Sequence, residues 1–272
     1  MREMMVVDRR FVNYIREGIG TPVILIHGLA ASLHDWDFII PELATSGYDA
    51  CALDLLGHGD SLNPGQMDHY NIENVFEHLS TWMDLLEFSE PFTIIGHSLG
   101  AYLALLYAIR FPQKARSLIL VNPFFNLRQL PYTFQLVFRY PLINTTMIER
   151  TPYWMFRLMI DLTSLHIKPW IRASHTLPEI VREQTALDYK RAAPEIFNIP
   201  RTMCDLTPEL SQILKPTQVI WGVNDQTLDP ASFHQLVQRL PNASWSVMPS
   251  CGHVPHQCHP SDFNKLVMDF LQ

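Results

Sequence analysis

Residues 92–104, with the sequence FTIIGHSLGAYLA, place one serine between an apolar run and a stretch of good helix formers. The apolar run is typical of a buried strand, and the residues that follow are typical of a helix. Gly96 and Gly100 flank Ser98 in a G-x-S-x-G pattern. A serine on such a sharp turn needs strained backbone angles, which small neighbours permit, and its hydroxyl then stands above the sheet edge at a helix N-terminus. The stretch predicts a strand–turn–helix that exposes Ser98 as a nucleophile.

The same alternation of apolar runs and helical patterns extends along the chain on both sides of this turn. It is typical of a parallel sheet that carries helices on both faces. We therefore predict the α/β class with a mostly parallel central sheet. The predicted strands are residues 22–27, 49–54, 92–95, 117–121, 217–221 and 243–248, and the predicted helices are residues 36–46, 70–88, 99–111, 231–239 and the segment after Pro260.

Residues 123–214 break this regularity, because helical segments there are interrupted by prolines and none is a convincing strand. We predict a helical cap inserted into a core formed by residues 1–122 and 215–272. Large apolar side chains of the cap, among them Phe124, Phe125, Phe138 and Trp154, could line an apolar pocket over Ser98. They could equally form the core of the cap itself, and both roles stay open.

A serine hydroxyl needs a base to remove its proton, and that base needs an acceptor to fix its tautomer. His253 follows the last predicted strand and precedes the final helix, so its loop returns toward Ser98. Asp225 lies just beyond the preceding strand and is the predicted acid. Asp229 is its rival, but its place before Pro230 is typical of a helix N-cap. The chain order serine, aspartate, histidine is the order this kind of fold uses.

At this point the sequence resembles the α/β-hydrolase superfamily, and more narrowly its capped esterase-like branch, over nearly the whole chain from about Val7. His27-Gly28 resembles the H-G of the family's oxyanion loop, and residues 54–61 (DLLGHGDS) resemble its D-x-x-G-x-G-x-S turn. Ala101 stands where many relatives have a second glycine. A serine nucleophile argues against the dehalogenase and epoxide-hydrolase branches, in which the nucleophile is an aspartate.

The resemblance implies an oxyanion hole made by the backbone N–H groups of Leu29 and Leu99. Such donors stabilise the transition state by roughly 3 kcal/mol each. His27 could orient this loop or line the substrate pocket, and a purely structural role is as plausible. The predicted activity is that of a carboxylesterase acting on small-to-medium apolar acyl or aromatic esters. Two alternatives stay open: a small-molecule receptor with slow or no turnover, and hydrolysis of a lactone, thioester, amide or carbon–carbon bond.

The composition excludes several other classes of protein. The formal net charge is −7 and lysine and arginine form no run, so the chain lacks the electrostatic footprint of a nucleic-acid-binding protein. The uncharged window from Pro91 to Ile109 is interrupted by Gly96, His97 and Gly100, so we expect no membrane span. We expect a small-molecule substrate and no cofactor, and the oligomeric state is left open.

The four cysteines bear on two questions, the cellular compartment and metal binding. The four cysteines form no C-x-x-C pair, and thiols in a reducing cytoplasm are the expectation, so we predict a cytoplasmic protein. However, the segment from Cys251 to His259 is dense in residues that bind metal, which makes a zinc site the alternative to a catalytic role for His253. Its spacing matches no familiar zinc finger, and we therefore expect no metal.

Overall fold

The architecture is seen in a computed structural model, which describes residues 2–7, 10–139, 141–166 and 174–272. Over these residues eight strands form one sheet in the spatial order β1-β2-β4-β3-β5-β6-β9-β10, and β7 pairs with β8 separately. All neighbours from β4 to β10 run parallel, whereas β1 and β2 are antiparallel to their neighbours. The predicted α/β class with a mostly parallel sheet is confirmed.

The strands are β1 (Arg2–Val7), β2 (Arg10–Glu17), β3 (Thr21–Ile26), β4 (Tyr48–Leu53), β5 (Phe92–His97), β6 (Ala115–Val121), β7 (Leu165–His166), β8 (Ser174–His175), β9 (Thr217–Gly222) and β10 (Ala243–Met248). The helices are α1 (Ile40–Thr45), α2 (Ile72–Leu85), α3 (Leu99–Arg110), α4 (Tyr132–Arg139), α5 (Pro141–Arg150), α6 (Tyr153–Ser164), α7 (Glu179–Arg191), α8 (Ile199–Thr202), α9 (Pro230–Arg239), α10 (Pro255–Cys258) and α11 (Pro260–Leu271).

The central strands are apolar on both faces because helices cover both sides of the sheet. Every residue of β5 is buried, and so is all of β9. One apolar cluster joins α2, α3 and α9 to one side of the sheet. A second cluster joins α1, α11 and a 3-10 turn at Leu33–Trp36 to the other side of the sheet. Among the described helices, none has both the length and the apolar character needed to cross a bilayer.

The segment predicted as a cap lies between the end of β6 at Val121 and the start of β9 at Thr217. It contains α4 to α8 and, contrary to the expectation of no strand, the short pair β7 and β8. Strands of two residues leave too short an alternation to be recognised in a sequence. The cap helix α6 packs on α7 through a small cluster of Phe156, Ile160 and Ala186.

Two further differences concern the N-terminal part of the chain. The sequence analysis missed β1 and β2, an antiparallel pair at one edge of the sheet. Charged residues interrupt the apolar ones in both strands, REMMVV and RFVNYIRE, and Met4, Val6 and Phe11 are more than half exposed at this sheet edge. The helix predicted over residues 36–46 is divided into the 3-10 turn and α1, with Pro41 in the first turn of α1, a position where its missing N–H is tolerated.

Candidate active site

Ser98 occupies the turn between β5 and α3 in a strained backbone conformation, with φ 51° and ψ −109°. The two glycines are required by close approach: a Cβ on Gly96 would lie 2.4 Å from the carbonyl oxygen of Gly100, and a Cβ on Gly100 would lie 2.0 Å from that of Ile26. A non-glycine residue at positive φ stores strain that the surrounding structure must impose. The predicted strand–turn–helix is therefore present, and it holds the Ser98 hydroxyl at the carboxyl edge of the sheet.

His253 and Asp225 meet at the same edge, each on a loop that follows a strand. His253 Nδ1 lies 2.9 Å from Asp225 Oδ2, and Asn122 Nδ2 donates to that same oxygen at 2.6 Å. The other oxygen of Asp225 accepts the backbone N–H groups of Thr227 and Leu228 at 2.8 and 3.1 Å. Burial opposes ionisation of this carboxyl, yet His253 and the other hydrogen-bond donors lower its pKa below the usual range. The carboxylate is thus charged, fixed and aimed at the imidazole.

The rival carboxylate has the role predicted for it. Asp229 accepts the N–H of Ala231 at 3.0 Å and caps α9, so the bond to His253 belongs to Asp225. Asn122, which holds Asp225 from behind, was missed in the sequence. It has a positive φ of 41°, and its Oδ1 accepts the N–H of Gly222 at 3.3 Å. The only sequence signal was its place directly after a buried strand, ahead of Pro123.

His97 connects the loop that carries His253 with the turn at Ser98. His97 directly precedes Ser98, and its Nε2 lies 2.9 Å from the backbone carbonyl oxygen of His253. The two imidazole rings pack with their centroids 5.0 Å apart. In the part of the chain that the structure describes, Ser98 Oγ makes no hydrogen bond to the His253 ring. Catalytic hydrogen bonds are often long without substrate and tighten when it binds.

Asp35 lies behind His97 and was also missed. Its Oδ2 is 3.1 Å from His97 Nδ1, and its Oδ1 accepts from Gln257 at 3.0 Å. Both nitrogens of the His97 ring therefore face acceptors, the Asp35 carboxylate on one side and the His253 carbonyl on the other. A ring that satisfies both contacts needs a hydrogen on each nitrogen, so the Asp35–His97 contact holds a proton.

Charge on these two groups is subject to opposing influences. Burial lowers the pKa of His97 to about 4, and this opposes a proton on the ring. For Asp35, burial opposes ionisation, but the neighbouring imidazoles of His256, 3.9 Å away, and His97, 3.1 Å away, lower its pKa and keep the carboxylate ionised. The hydrogen-bond geometry decides between them, because without a proton two lone pairs would oppose each other at 3.1 Å. We therefore place a hydrogen on His97 Nδ1, donated to the Asp35 carboxylate.

The predicted oxyanion donors lie on either side of the turn. Leu99 is the first residue of α3, where helix geometry leaves its N–H without a partner, and Leu29 follows β3. Over the described ranges neither N–H donates a hydrogen bond to a protein acceptor. Ala30 beside Leu29 has a positive φ of 61°, so this loop is strained like the turn at Ser98. Two unpartnered donors next to a nucleophile can bind a developing negative charge.

His27 supports the oxyanion loop from behind. Its Nδ1 donates to the carbonyl oxygen of Gly28 at 2.7 Å and its Nε2 accepts the N–H of Leu55 at 2.9 Å, so both ring nitrogens are used and the ring is fully buried. The pocket-lining interpretation of His27 is thereby corrected to an orienting one. Trp154 needs a correction too, because its side chain is 62% exposed on the outer side of the cap.

The remaining predicted pocket residues lie on the inner side. Phe124 and Phe125 are buried in the cluster that also contains Leu99, and the N–H of Phe124 donates to the carbonyl oxygen of Ser98 at 3.2 Å. Phe138 is half-buried against the same cluster and stacks on Phe197 with centroids 6.1 Å apart. The structure thus shows packing for these three rings, and their role in lining a pocket stays a prediction.

The glycine-rich turn after β4 has a structural role, which Asp54 provides. Asp54 accepts the N–H of Leu33 at 2.7 Å, the N–H of Asp60 at 2.9 Å and the side-chain amide of Asn13 at 2.6 Å. A Cβ on Gly59 would lie 2.2 Å from the Asp54 carboxyl. Through these bonds Asp54 ties the turn to β2 and to the 3-10 turn at Leu33–Trp36.

A buried carboxyl of the cap reaches the oxyanion loop. Ser32 donates to Asp188 of α7 at 2.9 Å, and Gln184 donates to the other oxygen of Asp188 at 2.9 Å. Burial raises the pKa of Asp188 to about 7. The cap and the core are therefore connected by a polar contact whose charge changes near neutral pH.

Two groups of side chains have the donor atoms for a metal ion. In each, one ligand atom per residue lies within 4.8 Å of the others: Cys251 with Cys258 and His259, and Asp35 with His97 and His256. Neither group contains His253, whose ring is bonded to Asp225. In the second group Asp35 takes hydrogen bonds on both oxygens, whereas neither ring nitrogen of the buried His256 has a hydrogen-bond partner among the described residues.

The fold and the site together define an α/β protein with Ser98 on a strained strand–helix turn and a hydrogen-bonded Asp225–His253 pair. Over the described residues, the backbone N–H groups of Leu29 and Leu99 beside that turn have no protein acceptor. The chain matches the family model for the alpha/beta hydrolase fold over residues 21–260, and it belongs to that family. It is accordingly a hydrolase.

Relatives in this family differ in the bond they cleave. A monoacylglycerol lipase of Mus musculus is 26% identical over 269 residues, which cover 94% of this chain and 77% of the lipase. Epoxide hydrolase 3 of Xenopus tropicalis is 27% identical over 271 residues, covering 92% of this chain and 71% of that enzyme. The solved structure of a bacterial membrane phospholipase A superposes with a TM-score of 0.81 at 26% identity, covering 100% of this chain and 85% of the other.

Proposed function

We propose that the protein is a serine carboxylesterase that cleaves apolar acyl or aromatic esters through a covalent acyl-enzyme. The observation that carries the proposal is the pair of buried Asp225 and partly buried His253, with Oδ2 and Nδ1 2.9 Å apart, at the sheet edge where Ser98 is held in its strained turn. The lipase and phospholipase named among the relatives support ester cleavage as the chemistry. The epoxide-hydrolase branch of the superfamily uses an aspartate nucleophile, whereas this chain has Ser98 in the G-x-S-x-G turn.

The first half of the reaction transfers the acyl group to the enzyme. Ser98 Oγ attacks the ester carbonyl carbon while its proton passes to Nε2 of His253, and the Asp225 carboxylate stabilises the resulting imidazolium through Nδ1. The carbonyl oxygen becomes an oxyanion held by the N–H groups of Leu29 and Leu99. When the carbon–oxygen bond breaks, the alcohol leaves with the proton from His253, and an acyl-Ser98 ester remains.

The second half returns the enzyme to its starting state. A water molecule loses a proton to His253 Nε2 as its oxygen attacks the acyl carbon, and the same backbone donors hold the new oxyanion. The bond from the carbon to Ser98 Oγ then breaks, and the proton returns from His253 to Ser98. The products are one carboxylic acid and one alcohol, and no cofactor is consumed.

The apolar substrate class is supported by side chains around the nucleophile. Leu29, Phe138, Tyr189 and Phe197 are half-buried and pack against the cluster that contains Leu99 and Phe124. Half-exposed apolar side chains near an oxyanion loop favour an acyl chain or aromatic ring over a charged group. The cap contributes most of these side chains, so cap shape sets the acceptable acyl length.

The test is hydrolysis of a p-nitrophenyl ester series from acetate to laurate, combined with fluorophosphonate labelling and mass spectrometry. We expect multiple turnovers, a single label on Ser98, and loss of at least ~10⁴-fold in kcat/KM for Ser98→Ala. The exposed Ser89→Ala serves as the matched control and should keep full activity. Tight ester binding without turnover would favour the receptor alternative, and turnover that survives Ser98→Ala would reject the assigned nucleophile.

A further inference from the structure

The segment that carries the base begins and ends with a cysteine. Cys251 follows β10, and Cys258 is the last residue of the short helix α10, with His259 directly after it. Because α10 turns the chain back, one ligand atom from each of these three side chains lies within 4.8 Å of the other two. The side chains of Cys251, Cys258 and His259 are called the thiol cluster from here on.

The donor atoms of the thiol cluster are those that zinc and cadmium prefer. Both cysteines are free thiols and both are buried, whereas His259 is exposed. Two sulfur atoms and one imidazole nitrogen suit a soft or borderline cation, while calcium and magnesium take oxygen ligands. In a tetrahedral zinc site such ligand atoms lie about 3.5 to 3.8 Å apart, so small side-chain rotations would bring these three onto one ion. The exposed imidazole gives the ion a way to reach the buried sulfur atoms.

The catalytic base takes no part in the thiol cluster. His253 lies between the two cysteines in the chain, but its Nδ1 is 2.9 Å from Asp225 Oδ2. The spacing of Cys251 and Cys258, with six residues between them, matches no familiar finger, and only the fold brings the two thiols together. Zinc binding and catalysis are therefore not alternatives for this segment, since they use different side chains.

Backbone contacts show what an ion at the thiol cluster would hold together. The carbonyl oxygen of Cys251 accepts the N–H of Asn224 at 2.9 Å, so the first ligand is tied to the loop that carries Asp225. The Sγ of Cys258 lies 3.9 Å from the carbonyl oxygen of Ser250, so the end of the segment returns to its start. An ion that bonds to both thiols would close the loop around the base and restrict its opening.

We propose that the thiol cluster binds one divalent cation of the zinc type, which ties together the two ends of the loop that carries the base. Each thiol loses its proton to solvent as its sulfur bonds to the ion, and the His259 ring binds through a nitrogen lone pair. Binding thus releases two protons per ion without any change of oxidation state, and a water molecule completes the coordination. The inference goes beyond the proposed esterase activity, because binding requires no turnover and can be measured on the Ser98→Ala variant.

The experiment titrates cadmium chloride into the full chain after treatment with EDTA and a phosphine reductant. We expect one ion per chain, an ultraviolet thiolate-to-cadmium charge-transfer band, and release of about two protons, measured by calorimetry in buffers of different ionisation enthalpy. Zinc should displace the cadmium and abolish the band. Zinc at ~100-fold excess over its Kd should raise the Tm by at least ~5 °C.

Four variants locate the ion. Cys258→Ser and His259→Gln should each weaken cadmium binding at least ~10-fold, because each removes a ligand. Cys204→Ser is the matched control, since it makes the same exchange at an exposed cysteine outside the cluster and should leave binding unchanged. Asp35→Asn should also leave it unchanged, which separates the thiol cluster from the buried group that contains Asp35.

Circular dichroism verifies that each variant is folded, and His259→Gln changes only an exposed side chain, so it remains informative if Cys258→Ser does not fold. The proposal is overturned by absence of the charge-transfer band at millimolar cadmium, or by full affinity of the folded His259→Gln variant. Loss of binding in Asp35→Asn would overturn it as well. So would a Cys251–Cys258 disulfide found by mass spectrometry in protein whose thiols were alkylated at cell lysis.

Discussion

The turn at Ser98 and the cap helix α6 differ in how far their side chains are buried and in what holds them in place. At the turn the strained residue is only 9% exposed, and backbone hydrogen bonds and close glycine contacts fix its position. On α6, the large apolar side chains of one face remain in solvent and the flank is held by ion pairs such as Arg157–Asp161. The comparison shows that fixed backbone geometry belongs to the core, whereas exposed apolar surface belongs to the segment between β6 and β9.

The largest expected effect tests the core side of this comparison. Asp225→Asn removes the charge that fixes His253, and we expect kcat to fall ~10⁴-fold with little change in KM. Asp229→Asn is the matched control: asparagine caps a helix as well as aspartate does, so its activity should stay within about twofold of the parent. Steady-state kinetics on one ester decide the matter, and a larger loss for the Asp229 variant would reassign the acid.

The second prediction tests the contact between the two regions. In unfolded chains an aspartate ionises near pH ~3.9, whereas burial raises the pKa of Asp188 to about 7. The folded state therefore holds a proton that the unfolded state has lost. The stability from this group is complete below about pH 4 and is lost as the pH rises through about 7.

Raising the pH from 5 to 8 should thus lower the free energy of unfolding by ~3 kcal/mol through Asp188. Asp188→Asn should abolish that share of the pH dependence, whereas Asp205→Asn, at an exposed cap position, should keep it. Urea denaturation at several pH values measures the difference between parent and variant. Identical pH profiles for the parent and Asp188→Asn would show that this carboxyl is already ionised in the folded protein.

A third prediction concerns the proton held between Asp35 and His97. Asp35→Asn exchanges a charged acceptor for a neutral amide, so the hydrogen bond that orients the His97 ring weakens and the His253 loop, which that ring contacts, is held less firmly. We expect kcat to fall about tenfold, with KM nearly constant. Asp54→Asn is the control, because Asp54 joins loops but makes no contact with His253, so it should lower stability more than kcat.

Kinetics and unfolding measured on the same two variants separate positioning from general loosening. A stoichiometric metal ion held by Asp35 in the purified parent protein would replace the proton in this interpretation, and an unchanged kcat in a folded Asp35→Asn variant would contradict it.

The smallest expected effect measures the strain at the nucleophile itself. Ser98→Gly and Ser98→Ala should both be inactive, but glycine tolerates positive φ and alanine does not. We expect the glycine variant to unfold with a free energy about 1 kcal/mol higher than the alanine variant. Thermal and urea unfolding of the pair provide the measurement, and equal stabilities would mean that the turn carries no net strain.

The parts that could be predicted from the sequence are those encoded locally. The turn at Ser98 is bounded by its own strand, glycines and helix, and the place of Asp229 before Pro230 identifies it as a helix N-cap. Asp35 and Asn122 could not be found in this way, because their partners are distant in the chain and only the folded sheet brings them together. The antiparallel edge of β1 and β2 was missed for a related reason, since an exposed edge needs no apolar run.

Asn122 gives the cap boundary a meaning beyond topology. It is the last residue before the insertion, and its amide holds both the acid Asp225 and the N–H of Gly222. A lineage that exchanges one cap for another must therefore splice downstream of this asparagine. A different insertion that displaced this amide would release Asp225 as well, so the site survives a change of cap only where Asn122 stays in place.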